Sequence, residues 1–178
     1  MGAFFTTLLI AVSLSMDAFS LSLAYGMQQM TKKDKILLSV IVGIYHFFMP
    51  LIGLNIGGAI LKYIIIDISI LVCIIFSLIG LEMIVSSIKD KEDKILISLI
   101  GFLIFGFSVS IDSFTTGIGL NMINNNYLEV TSIFAIVSAT FTYLGLLLGN
   151  KLNLKYGKYS TILGGSLLII LGIYYLVK

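Results

Sequence analysis

Six apolar runs, each close to the length needed to cross a bilayer as a helix, limit this chain more than any other feature. They are Phe4–Tyr25, Ile36–Leu61, Ile64–Ile88, Ile95–Leu120, Tyr127–Gly149 and Ser160–Val177. A helix needs about 20 apolar residues to cross a hydrocarbon layer about 30 Å thick. In that layer the backbone must satisfy its own hydrogen bonds, so unbroken apolar runs of this length become helices. Only 11% of the 178 residues are charged and 58% are hydrophobic, whereas soluble domains carry about 25% charged residues. The runs use most of the chain and leave no room for a soluble domain. The fold class expected is an all-α membrane protein with six transmembrane helices in a single domain, residues 1–178.

The lysines orient these helices. All eleven basic residues are lysines. Lys32, Lys33 and Lys35 follow the first run, Lys89, Lys91 and Lys94 the third, and Lys151, Lys155 and Lys158 the fifth, leaving only Lys62 and Lys178 for the other face. The positive-inside rule then places those three loops in the cytoplasm and both termini outside. Scattered over short loops, a net charge of +2 offers no nucleic-acid surface. The lone Cys73 allows no disulfide framework and reads as a small buried hydrophobe. The first run has no basic residue before it and contains an Asp, unlike a cleavable signal peptide. Met1-Gly2 with Thr6 fits a myristoylation pattern, but Thr6 belongs to the apolar run.

Self-comparison divides the chain in two. Ser15–Ser20 reads SMDAFS and Ser110–Thr115 reads SIDSFT, 95 residues later. The stripe Thr6, Ser13, Asp17, Ser20, Ala24 corresponds to Gly101, Ser108, Asp112, Thr115, Gly119, and its spacing keeps each set on one helix face. At a shift of 92, Gly43, His46, Pro50, Gly53 and Gly57 correspond to Ala135, Ser138, Thr142, Gly145 and Gly149, and Gly80 to Gly172. Three helices per repeat is an odd number, so two inverted three-helix repeats are expected, about 1–88 and 95–178. Many secondary transporters are built this way, with their sites near the midplane between repeats.

Asp17 and Asp112 fall well inside their runs, where a charge costs roughly 2.5–3.5 kcal/mol to insert. Two facing carboxylates repel unless a proton or cation lies between them, and a divalent ion neutralises both. Ser13 and Ser20 flank Asp17; Ser108, Thr115 and Thr116 flank Asp112. Oxygen-rich ligation of this kind suits hard divalent cations, although such hydroxyls also hold membrane helices together. His46, the single histidine, is a candidate metal ligand or proton relay. Glu82 is a candidate for proton coupling, or an interfacial acid near Lys89. Pro50 removes a backbone donor and is expected to kink its helix. Gly53/Gly57 and Gly145/Gly149 each spell GxxxG, a close-packing motif.

The stretches SMDAFSLSLAYG, HFFMPLIG and SIDSFTTGIGL resemble the bacterial MntP-type manganese efflux pumps, relatives of the lysine-exporter superfamily. The resemblance covers essentially the whole chain. It implies export of Mn²⁺ across the bacterial cytoplasmic membrane, with the family's motif acids at Asp17 and Asp112 and its motif glycine at Gly26; some members carry an acid where His46 stands. Asn121 departs from the motif at the place corresponding to Gly26. Related sporulation-associated membrane proteins share the motifs and give an alternative without manganese specificity.

The expectation is a secondary transporter exporting Mn²⁺, with other divalent cations as further candidate substrates, by alternating access with protons returning. Mn²⁺ is substrate, and no cofactor or enzymatic activity is expected. The partners implied are a divalent ion, protons and the lipid bilayer. The rival from another class is an intramembrane aspartyl protease. Such enzymes carry a GxGD motif, and no glycine closely precedes Asp112.

Overall fold

The computed structural model describes residues 2–63, 68–89, 98–118, 126–156 and 158–177. Among them every regular element is an α-helix: α1 (Gly2–Tyr25), α2 (Lys32–Tyr63), α3 (Ile68–Lys89), α4 (Leu99–Val109), α5 (Ile111–Ile118), α6 (Tyr127–Tyr156) and α7 (Lys158–Val177). Three are long and apolar enough to cross a membrane, over Thr7–Tyr25, Lys32–Asn55 and Tyr127–Lys155. Shorter apolar stretches occupy α3, α4 and α7.

One expected helix is broken. The fourth run becomes α4 and α5, separated by Ser110 at φ −100° and ψ 3°. There the Ser110 N–H donates to Phe107 O, tightening the turn, while its hydroxyl donates to Gly106 O at 2.7 Å. A side-chain oxygen thus does what the backbone N–H would do in a continuous helix. α2 starts earlier than its apolar run because Thr31 and Asp34 cap it reciprocally. Asp34 Oδ2 accepts from the Thr31 N–H and hydroxyl, and Thr31 Oγ1 accepts from the Asp34 N–H. The helix then continues through Pro50 to Tyr63.

α1 packs along α6, α3 along α7, and α2 against both α6 and α5. Small residues set the closest approaches. A Cβ on Gly53 would strike the Phe114 carbonyl, and one on Gly145 would strike the Phe19 carbonyl. Gly145 and Gly149 hold α6 against α1, where Gly149 meets Gly26, and Gly26 in turn meets Leu146. The surroundings of Gly57 lie outside the described residues.

The main core gathers Tyr25, Leu38, Ile41, Val42, Phe76, Met83, Phe102, Phe105 and Leu168. It lies toward the lysine-rich end, where α2 begins and α3 and α6 finish. A smaller cluster of Ala11, Val130 and Phe134 lies in the other half, between α1 and α6.

Candidate functional site

SMDAFS sits on α1, and SIDSFT begins at the Ser110 break and runs into α5; at the lysine-rich end α1 approaches α4, the segment before that break. There the rings of Tyr25 and Phe105 pack with centroids 4.6 Å apart and planes tilted 38°. Both side chains are fully buried. From Tyr25, Asp17 lies eight residues back along α1; from Phe105, Asp112 lies seven residues on. At 1.5 Å per residue the first offset is about 12 Å, while the second crosses the helix break at Ser110. Both acids thus lie along the chain from the ring pair, away from the lysine-rich end, Asp17 on α1 and Asp112 on α5.

Their surroundings differ. Asp17 is exposed, as are Ser13, Met16 and Ser20. Yet Leu21 and Ala24, at i+4 and i+7 from Asp17, are buried in the main core. The stripe through Asp17 is therefore buried toward Tyr25 and exposed at Ser20, Asp17 and Ser13. Asp112 is half-buried, with Ser108 and Phe105 buried at i−4 and i−7. The hydroxyls of Ser20, Ser108 and Thr116 donate to the carbonyls of Met16, Ile104 and Asp112 at 2.9, 2.9 and 3.0 Å. Each oxygen keeps lone pairs after that donation. The Thr115 and Glu82 side chains lie outside the described residues.

Sequence reasoning followed the acids' stripe and passed over the serine two residues before each acid. Both serines are fully buried and bond across helix interfaces. Ser15 Oγ donates to Ala11 O at 2.6 Å and lies 3.0 Å from Ser138 Oγ. Ser110 Oγ lies 3.0 Å from His46 Nδ1. The signal was present: serine opens both SMDAFS and SIDSFT, and Ser138 is the position that corresponds to His46. The two bonds are thus the same pairing made in opposite sense.

His46 is almost wholly buried. Its Nδ1 also lies 3.0 Å from Val42 O, an atom that can only accept. This assigns the hydrogen of the neutral ring to Nδ1 and leaves the lone pair on Nε2. Among the described residues, no three His, Cys, Asp or Glu side chains cluster as a metal site. The Asp17 carboxylate makes no hydrogen bond to Asp112. A cation held between these acids would complete its shell with hydroxyl, carbonyl or water oxygens.

The family model described as "Putative manganese efflux pump" matches residues 29–176. A Bacillus pumilus protein named "Putative manganese efflux pump MntP" is 36% identical over 174 residues, spanning 97% of this chain and 94% of its own. An Oceanobacillus iheyensis protein of the same name is 38% identical over 170 residues, spanning 95% and 93%. One from Geobacillus thermodenitrificans is 32% identical over 173 residues, spanning 93% and 91%. No solved structure matches the chain.

Proposed function

The chain belongs to the Mntp family of manganese efflux pumps, and from that membership we propose that it exports Mn²⁺ by alternating access between two inverted repeats. The observation that carries the reading is the similarity to the named pumps over nearly the whole chain. These relatives do not favour a protease reading.

In the proposed cycle Mn²⁺ enters from the lysine-rich, cytoplasmic side and is held between Asp17 and Asp112. Two carboxylates balance its charge, and hydroxyl oxygens beside them replace part of its water. His46 Nε2, whose lone pair is fixed by the bonds at Nδ1, serves as a further ligand or a proton carrier. Protons taken up by the acids after release reset the pump, with Glu82 a second candidate for coupling. Alternating access requires one end closed while the other is open. Here Tyr25 and Phe105 close the lysine-rich end beneath the acids, while Asp17 is exposed. The matched contacts Ser15–Ser138 and Ser110–His46 support the repeat, as do Gly53–Phe114 and Gly145–Phe19.

The test is manganese content and tolerance in cells producing the protein, with uptake into inverted vesicles for Mn²⁺, Mg²⁺ and Cd²⁺. Expression should lower cell manganese and raise tolerance. Asp17→Asn and Asp112→Asn, at equal membrane abundance, should each remove that benefit. Full protection by both variants would refute the site; no vesicle uptake of Mn²⁺ by the unaltered protein would refute the function.

A further inference from the structure

At the lysine-rich end, away from the acids, Lys35 is buried with no anionic partner among the described residues. Lys35 is only 8% exposed. Its ammonium has one hydrogen-bond partner among the described residues, Asn150 Oδ1 at 2.9 Å. An ammonium carries three donors, so two remain. Among the described residues the neighbouring carboxylate bonds to Thr31 rather than to Lys35: Asp34 Oδ2 accepts both the N–H and the hydroxyl of Thr31.

One further donor in this region is unmet among the described residues. Gln28 is 6% exposed, and its Nε2 is buried with no acceptor. It follows Met27, whose carbonyl accepts from Asn153 Nδ2 at 2.6 Å and from Thr161 Oγ1 at 3.0 Å. Asn150 and Asn153 lie one turn apart on α6, so the loop bearing Gln28 and the first turn of α2 bearing Lys35 meet the same short stretch of helix. Lys32, Lys33, Lys151 and Lys155 stand exposed around it. Buried donors and an uncompensated ammonium are unfavourable until an anion with several acceptor oxygens fills them.

We propose that Lys35, Gln28 and Asn150 form a binding site for the phosphate of an anionic phospholipid headgroup, at the junction of the α1–α2 loop and the end of α6. The depth fits: the site lies where apolar helix gives way to lysine-bearing polar segments, the level at which headgroup phosphates sit. Basic pockets between helices on the lysine-rich side of membrane proteins hold such headgroups, and the exposed lysines add attraction to an anionic surface. The proposal does not depend on which ion is carried.

The test uses the full chain purified in uncharged detergent, with its thermal midpoint followed on adding phosphatidylglycerol, phosphatidylcholine or inorganic phosphate. A ligand that binds only the folded state raises the midpoint. Phosphatidylglycerol should raise it, and phosphatidylcholine and inorganic phosphate should not. Lys35→Met should lose the shift, while Lys32→Met and Lys33→Met should keep most of it. If Lys35→Met does not fold, Gln28→Leu should show a reduced shift. The site is overturned if Lys35→Met or Gln28→Leu keeps the full shift, or if the exposed-lysine variants lose as much. An equal shift with inorganic phosphate overturns the lipid as its occupant. Since the readout is stability, failure here is distinct from failure of manganese export.

Discussion

Replacing Phe105 with Ala should open the lysine-rich end. The ring is fully buried and packed on Tyr25. Entry of an ion from that end requires the two rings to separate. An aromatic side chain buries roughly 150–250 Å²; exposing about 100 Å² of it costs about 2.5 kcal/mol at about 25 cal/mol per Å². Losing the ring pair adds about 1 kcal/mol. Phe105→Ala removes most of this bias, about 3 kcal/mol, and so favours the open form by about 100-fold. A cysteine placed at Ser20 reports the change, because Ser20 is exposed and lies between Asp17 and Tyr25. With Cys73 replaced by Ser, a membrane-impermeant thiol reagent is applied to each side of sealed vesicles. Ser20→Cys should react slowly from the lysine-rich side in the parent and much faster with Phe105→Ala. Phe105→Leu, which keeps most of the bulk, should give an intermediate rate. Suppose labelling from the lysine-rich side stays slow while labelling from the opposite side is normal, showing a folded protein. The Tyr25–Phe105 contact is then not the barrier.

Ser110→Ala should destabilise the protein by about 1–3 kcal/mol, because it uncovers Gly106 O and removes a partner of buried His46; thermal unfolding in detergent measures it. Ser15→Ala breaks the corresponding contact with Ser138 and should cost a similar amount. Gly53→Ala and Gly145→Ala each drive a methyl into a neighbouring helix carbonyl and should cost about 1–3 kcal/mol. Both should lower folded yield in the membrane, read by fluorescence-detected size-exclusion chromatography. In the parent with Cys73 replaced, Ser13→Cys should react with a thiol reagent faster than Ser108→Cys, since Ser13 is exposed and Ser108 is 5% exposed.

Much of the helix content was legible because apolar length is a property of the chain itself. The break at Ser110 was not, since SIDSFT and SMDAFS look alike and only one interrupts its helix. Both serines donate to the carbonyl four residues back, Ser15 to Ala11 and Ser110 to Gly106; the difference is that the Ser110 N–H turns to Phe107 O and its hydroxyl meets His46, which the periodicity does not signal. The small residues that bring helices close were legible as GxxxG, but their exact partners depend on how the helices cross. The buried serines two positions before the acids were visible as repeated letters. They escaped notice because helical periodicity puts them on the face opposite the acids, turned about 200° at 100° per residue.

That opposition has a mechanical consequence for the proposed cycle. Each hexapeptide presents its serine to the other half of the chain and its acid to the proposed ion path. Ser15 and Ser110 grip α6 and α2, and α2 and α6 pack on one another. Rotation of α1 or α5 that turned an acid toward an ion would therefore have to break a serine contact or carry the gripped helix along. Breaking leaves buried polar groups without partners, which costs about 1–3 kcal/mol each, so moving as a unit is the easier course. The lighter connection is that of α1 to α4, centred on Tyr25 and Phe105. Apolar rings can part and meet again without stranding a hydrogen bond. The polar grips thus keep the acids in register while the aromatic contact is free to open, and on this reading the sequence assigns rigidity to its serines and movement to its rings.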